Sequence, residues 1–248
     1  NNYYDVSFKK KRLSLLKKDK NFKFFKIDLK NENSLNKLGS HKNKIQFIFH
    51  LAGQAGVRYS LKNPASYAKN NIEAYLYLLE NFKKSKKLKS IFYASSSSVY
   101  GQKKIFKKEN MISVYAVSKK TLEHLSDVYN YLYGMNFVGM RFFTVYGPQG
   151  RPDMSIYKFF KNAYQNKPID VYNYGNHQRS FTFIDDLIIN INKTLIFYKK
   201  RKSFSKIHNI GNPKSIHLKY VIKLIKKITN KKIKQNFLPL QTGDGIKT

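Results

Sequence analysis

The sequence predicts an α/β fold in which helices cover both faces of a parallel sheet, a doubly wound arrangement. Short apolar runs recur along the first half of the chain, and amphipathic segments of about 10 to 20 residues separate them. This alternation is typical of parallel sheets, because each parallel strand pair needs a crossover connection. The runs predicted as strands are FKFFKIDL at 22–29, IQFIFHLAG at 45–53, IFYA with its serines at 91–98, and FVGMRFF at 137–143.

Helices are predicted where apolar residues recur at helical spacing. A short helix covers 31–38, and a second begins near Pro64, where proline suits the first turn, and continues to about Lys84. A third begins at VYAVSKK and continues to about Tyr133. The less regular second half is predicted to contain helices at 154–165 and 216–229, a helix that FTFIDD leads into and that ends at about Tyr198, and strands at IDVYN and IHNIG. Asp185 and Asp186 open one of these helices, where they are more typical of charges that stabilise a helix N-terminus than of an acid pair.

The composition indicates a folded protein whose charge comes mainly from lysine. Of 248 residues 42% are hydrophobic, and the net charge is +34. Asn, Ile, Phe and Tyr are abundant along with Lys, and A/T-rich codons encode all of them. A base bias of the genome therefore explains the charge better than a specific nucleic-acid interface does, although such a charge attracts anions in general.

Several functional classes are disfavoured by the same composition. No apolar run approaches the roughly 18 residues of a membrane span, and the first residues lack a signal-peptide core. The chain has no cysteine, and its histidines show no metal-ligand spacing. We therefore expect a cytoplasmic protein without disulfides, without a metal site and without a membrane partner.

Three residues near the middle of the chain form the predicted catalytic set. Ser96 lies where the serine-rich strand ends, and Tyr115 and Lys119 share one face of the following helix. An ammonium near a phenol favours the phenolate, so Tyr115 would act as a base while a serine hydroxyl binds a substrate oxygen. The Tyr-x-x-x-Lys spacing alone indicates nothing, because it occurs at Tyr100, Tyr115, Tyr157 and Tyr198. The serine-rich strand before Tyr115 and the strand after it single out this pair.

Two further positions suit a nucleotide. The turn Leu51-Ala52-Gly53 lets the backbone pass close to a ligand, and Asp28 follows a predicted strand, where its carboxylate can accept hydrogen bonds from an adenine or a ribose. An ordinary turn from strand to loop explains each position equally well.

Several stretches together resemble the extended short-chain dehydrogenase/reductase family, and within it the UDP-glucuronate 4-epimerases, which include capsular polysaccharide epimerases. These stretches are NNYYDVSFKKKRL, HLAGQAGVRYSLKNPASY, FYASSSSVYG, VYAVSKK, MRFFTVYGPQGRPDM, IDVYNYG, RSFTFIDD, HNIGN and LPLQTGD. The resemblance runs from end to end. It implies a Rossmann-like sheet, a bound NAD, and conversion of UDP-glucuronate to UDP-galacturonate through a transient 4-keto sugar, for surface polysaccharide synthesis.

The resemblance also assigns residues to roles. It implies that Ser96, Tyr115 and Lys119 are catalytic. The implied NAD contacts are Asp28, Leu29, Leu51, Ala52, Gly53, Gln54, Asn70, Ser95, Tyr115, Lys119 and Phe143. The implied substrate contacts are Arg58, Ser98, Thr144, Arg151, Tyr172, Arg179 and Asp244. Arginines suit a carboxylate or phosphate because their planar guanidinium binds both oxygens; for Arg141, inside an apolar strand, a structural ion pair is the alternative.

Neighbouring activities differ at the serine run. Related 4,6-dehydratases carry an Asp-Glu pair after the catalytic hydroxyl and decarboxylating relatives carry a Glu, whereas this chain has Ser97 and Ser98. Simple epimerisation is therefore favoured. Two alternatives stay open: a UDP-glucose or UDP-N-acetylhexosamine 4-epimerase, and an inactive basic relative that binds nucleotides or polyanions.

The resemblance further implies two domains and a longer parent protein. We expect an NAD-binding domain at 1–143 and a substrate-binding domain at 144–248, with about 181–212 returning to the first sheet. The family's first strand and Gly-rich loop have no counterpart in the sequence, so we expect a fragment, or a decayed gene product, that binds NAD poorly. The loop from Gly101 to Val114 is shorter than usual, and Ser180 replaces an aspartate. A homodimer through the two long helices is a further family expectation.

Overall fold

The computed structural model describes residues 3–101 and 111–248 and contains a parallel four-stranded sheet. Its strands are β1 (Phe47–His50), β2 (Ser90–Ser96), β3 (Phe137–Phe142) and β8 (Ser205–Ile210), in the order β1-β2-β3-β8. Neighbouring strands pair His50 with Tyr93, Ser96 with Phe142, and Arg141 with Asn209. Because all four strands run the same way, their carboxyl ends meet at one edge of the sheet.

Helices cover both faces of this sheet, which confirms the predicted doubly wound α/β class. On one face, Ile91 and Phe137 pack in a cluster with residues of α4 (Ala74–Phe82) and α5 (Val114–Tyr133). On the other, Phe92 and Val138 pack with residues of α7 (Ile184–Tyr198). The alternation of side chains along each strand sends neighbouring residues into different clusters.

Most predicted helices of the first half are present. The helix near Pro64 consists of α3 (Ala65–Tyr67), a π-helical stretch at Ala68–Glu73 and α4. The predicted helix at 31–38 is a longer 3-10 helix, Glu32–Lys44. Two short helices, α1 (Val6–Leu16) and α2 (Val57–Lys62), were not predicted.

The second half adds a separate cluster beside the sheet. Helices α6 (Ser155–Tyr164) and α8 (Leu218–Thr229) pack on β5 (Ile169–Tyr172), which pairs in parallel with β10 (Gln235–Leu238). Two small sheets connect the halves: β4 (Thr144–Tyr146) pairs with β7 (Phe181–Phe183), and β6 (Gln178–Arg179) pairs with β9 (Ile216–His217). The split into domains at residue 143 stays a prediction, although β8 does join the first sheet.

One predicted strand was wrong. Residues 22–28 form neither a helix nor a strand, and β1 and β8 are the outer strands of the described sheet. The apolar pattern identified side chains that need burial, and Ile27 and Leu29 do pack on the α4 and α5 cluster. A strand also needs a neighbour for its backbone hydrogen bonds, and the pattern of one segment contains no information about that neighbour.

Among the described residues, no helix combines the length and the apolar character that crossing a membrane requires.

Candidate functional site

The serine hydroxyls at the end of β2 make hydrogen bonds to each other and to the backbone that follows. Ser96 is buried, and its Oγ accepts a hydrogen bond from the Ser98 backbone N–H at 3.1 Å, which caps a short 3-10 helix at Ser97–Tyr100. Ser96 Oγ also donates to Ser98 Oγ at 3.1 Å. Ser113 caps α5 through the Ala116 N–H at 3.1 Å. The two caps place the start of α5 beside the carboxyl end of β2.

Tyr115 lies in the first turn of α5 and is hydrogen-bonded to Ser96. Burial raises the pKa of Tyr115, while the Ser96 hydrogen bond and the positive charge of Arg151 oppose the rise. The Tyr67 ring meets the Tyr115 ring edge-on, with centroids 6.0 Å apart. In the chain itself the phenol is therefore protonated at neutral pH.

Lys119 is buried one turn after Tyr115. Its Nζ donates to the Ala94 carbonyl oxygen at 2.7 Å, and burial lowers its pKa to about 8. The cation that lowers the pKa of Tyr115 in the chain itself is Arg151, and the effect of Lys119 on Tyr115 stays a prediction. The sequence spacing placed both side chains on one face, but Lys119 points toward β2 and the turn after β1.

That turn is held by an asparagine that the sequence analysis missed. Asn71 is buried; its Oδ1 accepts from the Gln54 N–H at 2.6 Å, and its Nδ2 donates to Gln54 O at 3.1 Å and to Ser118 Oγ at 2.9 Å. Asn70, the predicted residue, instead donates to Ser66 O at 2.6 Å. A Cβ on Gly53 would lie 2.9 Å from Asn71 Oδ1 and 3.7 Å from Lys119 Nζ, so this turn requires a glycine.

A buried ion pair lies beneath the catalytic candidates. Glu123 of α5 accepts from Arg141 Nε at 2.8 Å and from its Nη2 at 2.6 Å. Ser95 Oγ donates to the same carboxylate at 2.6 Å, so the hydroxyl of this predicted cofactor residue faces the ion pair. Arg141 also stacks on Tyr100, whose hydroxyl donates to Asn209 at 2.9 Å. The structural ion pair considered for Arg141 is therefore present.

Four predicted substrate residues converge near the chain's last residues. Arg58 Nη2 donates to Asp244 Oδ2 at 2.7 Å, and its guanidinium lies 4.1 Å from the centre of the Tyr172 ring. Arg179 donates to the carbonyl oxygens of Gly245 at 2.6 Å and Ile246 at 2.9 Å. Its charge also interacts with those of Arg58 and Asp244, and burial lowers its pKa. The structure thus brings together two cations and an aromatic ring, a combination suited to a diphosphate and a base.

Arg151 and Thr144 line a second part of the site. Both border a mostly apolar cavity of about 270 Å³, together with side chains that include Met154, Phe160 and Phe183. Arg151 donates to both carboxylate oxygens of Asp153, at 2.9 and 2.5 Å. The sequence analysis did not single out Asp153, although its position two residues after an arginine was visible.

The remaining predicted positions are less closely grouped. Asp28 is exposed, and its carboxylate accepts from the Lys30 N–H at 3.2 Å. Leu51, Ala52 and Gly53 are exposed at the carboxyl edge of β1. Phe143 packs directly on Gly211, and Ser180, which replaces a family aspartate, donates to Asn212 O at 2.6 Å. Residues 102–110, which contain most of the shortened loop, lie outside the described residues.

Asp185 and Asp186 occupy the first turn of α7, as predicted for residues that stabilise its N-terminus. Within residues 3–101 and 111–248, no group of three or more His, Asp or Glu side chains could hold a metal ion.

Comparison with known proteins assigns the site to a family. Residues 1–211 match the model of the NAD dependent epimerase/dehydratase family. The chain therefore belongs to this family, and NAD is its cofactor. The turn at Leu51–Gly53 is exposed at the carboxyl edge of β1, with Lys119 Nζ close to Gly53, and that edge is where parallel α/β sheets bind nucleotides.

Individual relatives make the class more specific. The chain is 40% identical over 249 residues to a UDP-glucuronate 4-epimerase of Thermodesulfobacterium geofontis, covering 98% of this chain and 75% of that protein. It is 38% identical over 267 residues to Protein CapI of Staphylococcus aureus, covering 98% and 78%. The crystal structure of UDP-glucuronic acid 4-epimerase from Bacillus cereus with UDP-glucuronic acid and NAD superimposes with a TM-score of 0.86 at 31% identity, covering 98% and 77%. The class established by these relatives is an NAD-dependent epimerase.

Adjacent asparagines test the structure of the turn. Asn71→Ala leaves the Gln54 backbone groups and Ser118 Oγ without their partner, so we expect the free energy of unfolding to fall by about 2–4 kcal/mol. Asn70→Ala is the matched control and removes one hydrogen bond at the surface, with an expected cost of about 1 kcal/mol or less. Urea unfolding measures both values, and equal losses would show that Asn71 does not hold the turn.

Burial of Lys119 predicts a pH dependence of stability. Its pKa falls from 10.5 to about 8 on folding, so the unfolded chain binds more protons than the folded chain between these values. The free energy of unfolding contributed by Lys119 therefore rises with pH across this window. From pH 8 to 10, wild type should gain on the order of 2 kcal/mol relative to Lys119→Met. A difference between the two proteins that does not change with pH would contradict the burial of this ammonium.

Proposed function

We propose that this protein catalyses the 4-epimerisation of UDP-glucuronate to UDP-galacturonate with NAD. The observation that carries the proposal is that the Ser96 hydroxyl, at the end of β2, and the positive charge of Arg151 both lower the pKa of Tyr115 in the first turn of α5. The cation distinguishes a sugar acid from a neutral sugar, because a carboxylate removed from water requires a charged partner. The names of the relatives described above support the same substrate.

In this proposal Tyr115 Oη takes the proton from the sugar 4-hydroxyl. Ser96 Oγ, at the end of β2 beside the start of α5, would orient the same sugar oxygen. Bound NAD accepts the hydride of the sugar C4 and returns it to the opposite face. Tyr115 then gives its proton back to the same oxygen, so the chain ends the turnover unchanged. Because burial keeps Tyr115 protonated in the free chain, we expect activity to increase as the pH rises above neutrality.

The residues for the rest of the cofactor and substrate follow from their positions. The turn at Leu51–Gly53 and Gln54 would lie along the pyrophosphate and ribose of NAD, with Asn71 keeping the turn in place. Lys119 and Asn70 are retained as proposed cofactor contacts. Asp28, Leu29 and Phe143 are retained as proposed cofactor contacts, and Ser95 is retained through its backbone because its hydroxyl is bound to Glu123. Arg58, Tyr172, Arg179 and Asp244 would receive the UDP part, and Ser98, Thr144 and Arg151 the glucuronate.

The absence of an added carboxylate supports simple epimerisation. Ser97 and Ser98 follow Ser96 in a tight 3-10 turn, and Ser98 contacts the Ser96 hydroxyl. Dehydration or decarboxylation would need an acid at this position to move a further proton, and serine does not supply one at neutral pH.

The biological setting is a further part of the proposal. Similarity to Protein CapI supports a role in making a surface polysaccharide, and we expect a cytoplasmic enzyme. A homodimer is proposed through α4 and α5, since Val117, Val128 and Leu132 of α5 are 46, 48 and 57% exposed. Sedimentation equilibrium of the purified chain tests the homodimer. We expect the mass of a dimer, and a single monomeric species would contradict this part of the proposal.

Turnover of the sugar nucleotide tests the proposed function. The protein is mixed with NAD and UDP-glucuronate, and the anomeric and H4 signals of the sugar are followed by NMR. We expect UDP-galacturonate to appear, and Tyr115→Phe to abolish its formation because the phenylalanine has no proton to exchange. Tyr198→Phe is the control, since Tyr198 has the same Tyr-x-x-x-Lys spacing but lies at the end of α7, outside the cavity lined by Arg151.

Two outcomes would contradict the proposal. Conversion of UDP-glucose but not of UDP-glucuronate would show that the enzyme acts on a neutral sugar. No turnover of any nucleotide sugar, together with salt-sensitive binding to duplex nucleic acid, would indicate the inactive basic relative.

A further inference from the structure

The guanidinium of Arg151 is held in a fixed orientation by Asp153. Arg151 donates through Nε and Nη2 to the two carboxylate oxygens, at 2.9 and 2.5 Å. The pair is partly buried, with 33% of the Arg151 side chain and 26% of the Asp153 side chain exposed. A guanidinium has five N–H groups, so this side-on arrangement leaves the Nη1 edge for another acceptor. Among the described residues, none accepts a hydrogen bond from Arg151 Nη1.

Asp153 is in turn held by the first residues of the chain. Tyr3 Oη donates to Asp153 Oδ2 at 3.1 Å. The Tyr3 ring packs edge-on against Tyr59 at 5.1 Å, and the Arg151 guanidinium lies 5.9 Å from the ring centre. The Asp153 carboxylate and burial raise the pKa of Tyr3 to about 12, so its hydroxyl remains a donor at neutral pH. Asp153 therefore contacts Arg151 on one side and Tyr3 on the other.

The segment that contains Tyr3 is attached to the loop that contains Arg151. Arg12 of α1 donates to Gly150 O at 2.8 Å and to Tyr4 Oη at 2.9 Å. The close fit also extends to the turn after β1, where a Cβ on Gly56 would lie 2.4 Å from Tyr3 Oη. Residues 3–13 belong to the NNYYDVSFKKKRL stretch, which has no role in the proposed chemistry, and α1 continues to Leu16. The structure connects this stretch to the cation that acts on Tyr115.

We propose that Asp153 and Tyr3 are positioning residues that orient Arg151 toward a carboxylate on the bound sugar, so that segment 3–16 helps to select an anionic nucleotide sugar. The inference rests on the proposed function. Arginine has a long flexible side chain, and holding it in one orientation before binding reduces the entropy lost on binding. Pairing with Asp153 also lowers the cost of keeping the guanidinium partly out of water.

Binding of three ligands to the full chain tests this inference. Isothermal titration gives the dissociation constants of UDP, UDP-glucose and UDP-glucuronate for wild type, Asp153→Asn and Tyr3→Phe. We expect Asp153→Asn to lose about tenfold of the preference for UDP-glucuronate over UDP-glucose, with UDP and UDP-glucose almost unchanged. Tyr3→Phe should lose about threefold in the same direction, because Asp153 keeps its contact with Arg151. Asp153→Glu, which retains the carboxylate, should recover part of the preference.

The control and the contradicting results are specific to the carboxylate. Asp170→Asn changes an exposed aspartate in the same half of the chain and should leave all three constants unchanged. An unchanged preference in Asp153→Asn, a tighter binding of UDP-glucuronate, or an equal loss of all three ligands would overturn the inference. Circular dichroism shows whether each variant folds. If wild type binds UDP but none of the variants folds, Asp153 is a structural residue only and the inference is overturned. If wild type binds none of the three ligands, the proposed function itself fails.

Discussion

The arrangement of the site depends on the buried ion pair between Glu123 and Arg141. Glu123 is fully buried and Arg141 is 7% exposed, and two hydrogen bonds of 2.8 and 2.6 Å join them. Forming such a pair costs free energy because both charges lose their water. Removing one partner leaves an unpaired buried charge, which lowers the free energy of unfolding by about 3–5 kcal/mol. The pair therefore contributes more to fixing the relative positions of α5 and β3 than to the net stability of the fold. It links α5 to β3 at the level where the strands end.

From this pair, connections extend to every element that supplies a catalytic candidate. Ser95 ties β2 to Glu123, one residue before Ser96. Glu123 is one turn after Lys119 on α5, so the orientation of that helix about its axis also sets Lys119 and Tyr115. Arg141 stacks on Tyr100, whose hydroxyl reaches Asn209 of β8. Ser96, Tyr115 and Lys119 thus sit above a network that fixes three strands and one helix relative to each other.

Local patterns in the sequence predicted the elements but not all their partners. The helix from Val114 to Tyr133 and the serine-rich strand were predicted closely, because the apolar spacing of each is set by the face that it buries. Residues 22–28 were predicted as a strand because they are apolar, although a strand also depends on a distant neighbour. Asn70 was predicted as a cofactor contact, whereas Asn71 makes the buried hydrogen bonds to the turn at Gln54. Which of two adjacent side chains faces the turn depends on how the π-helical stretch is rotated about its axis. Likewise the spacing of Tyr115 and Lys119 did not reveal that Lys119 turns to Ala94, or that Arg151 supplies the cation near Tyr115.

The central claim is that the Glu123–Arg141 pair holds the catalytic candidates together, and amide hydrogen exchange tests it most directly. In Glu123→Gln, we predict faster exchange at 94–98 and at 114–120 together, because β2 and α5 lose the same anchor. Glu32→Gln serves as the control, since it neutralises an exposed carboxylate at the start of the 3-10 helix Glu32–Lys44 and should leave both segments unchanged. Faster exchange confined to the neighbourhood of residues 123 and 141, with 94–98 and 114–120 as in wild type, would contradict the account.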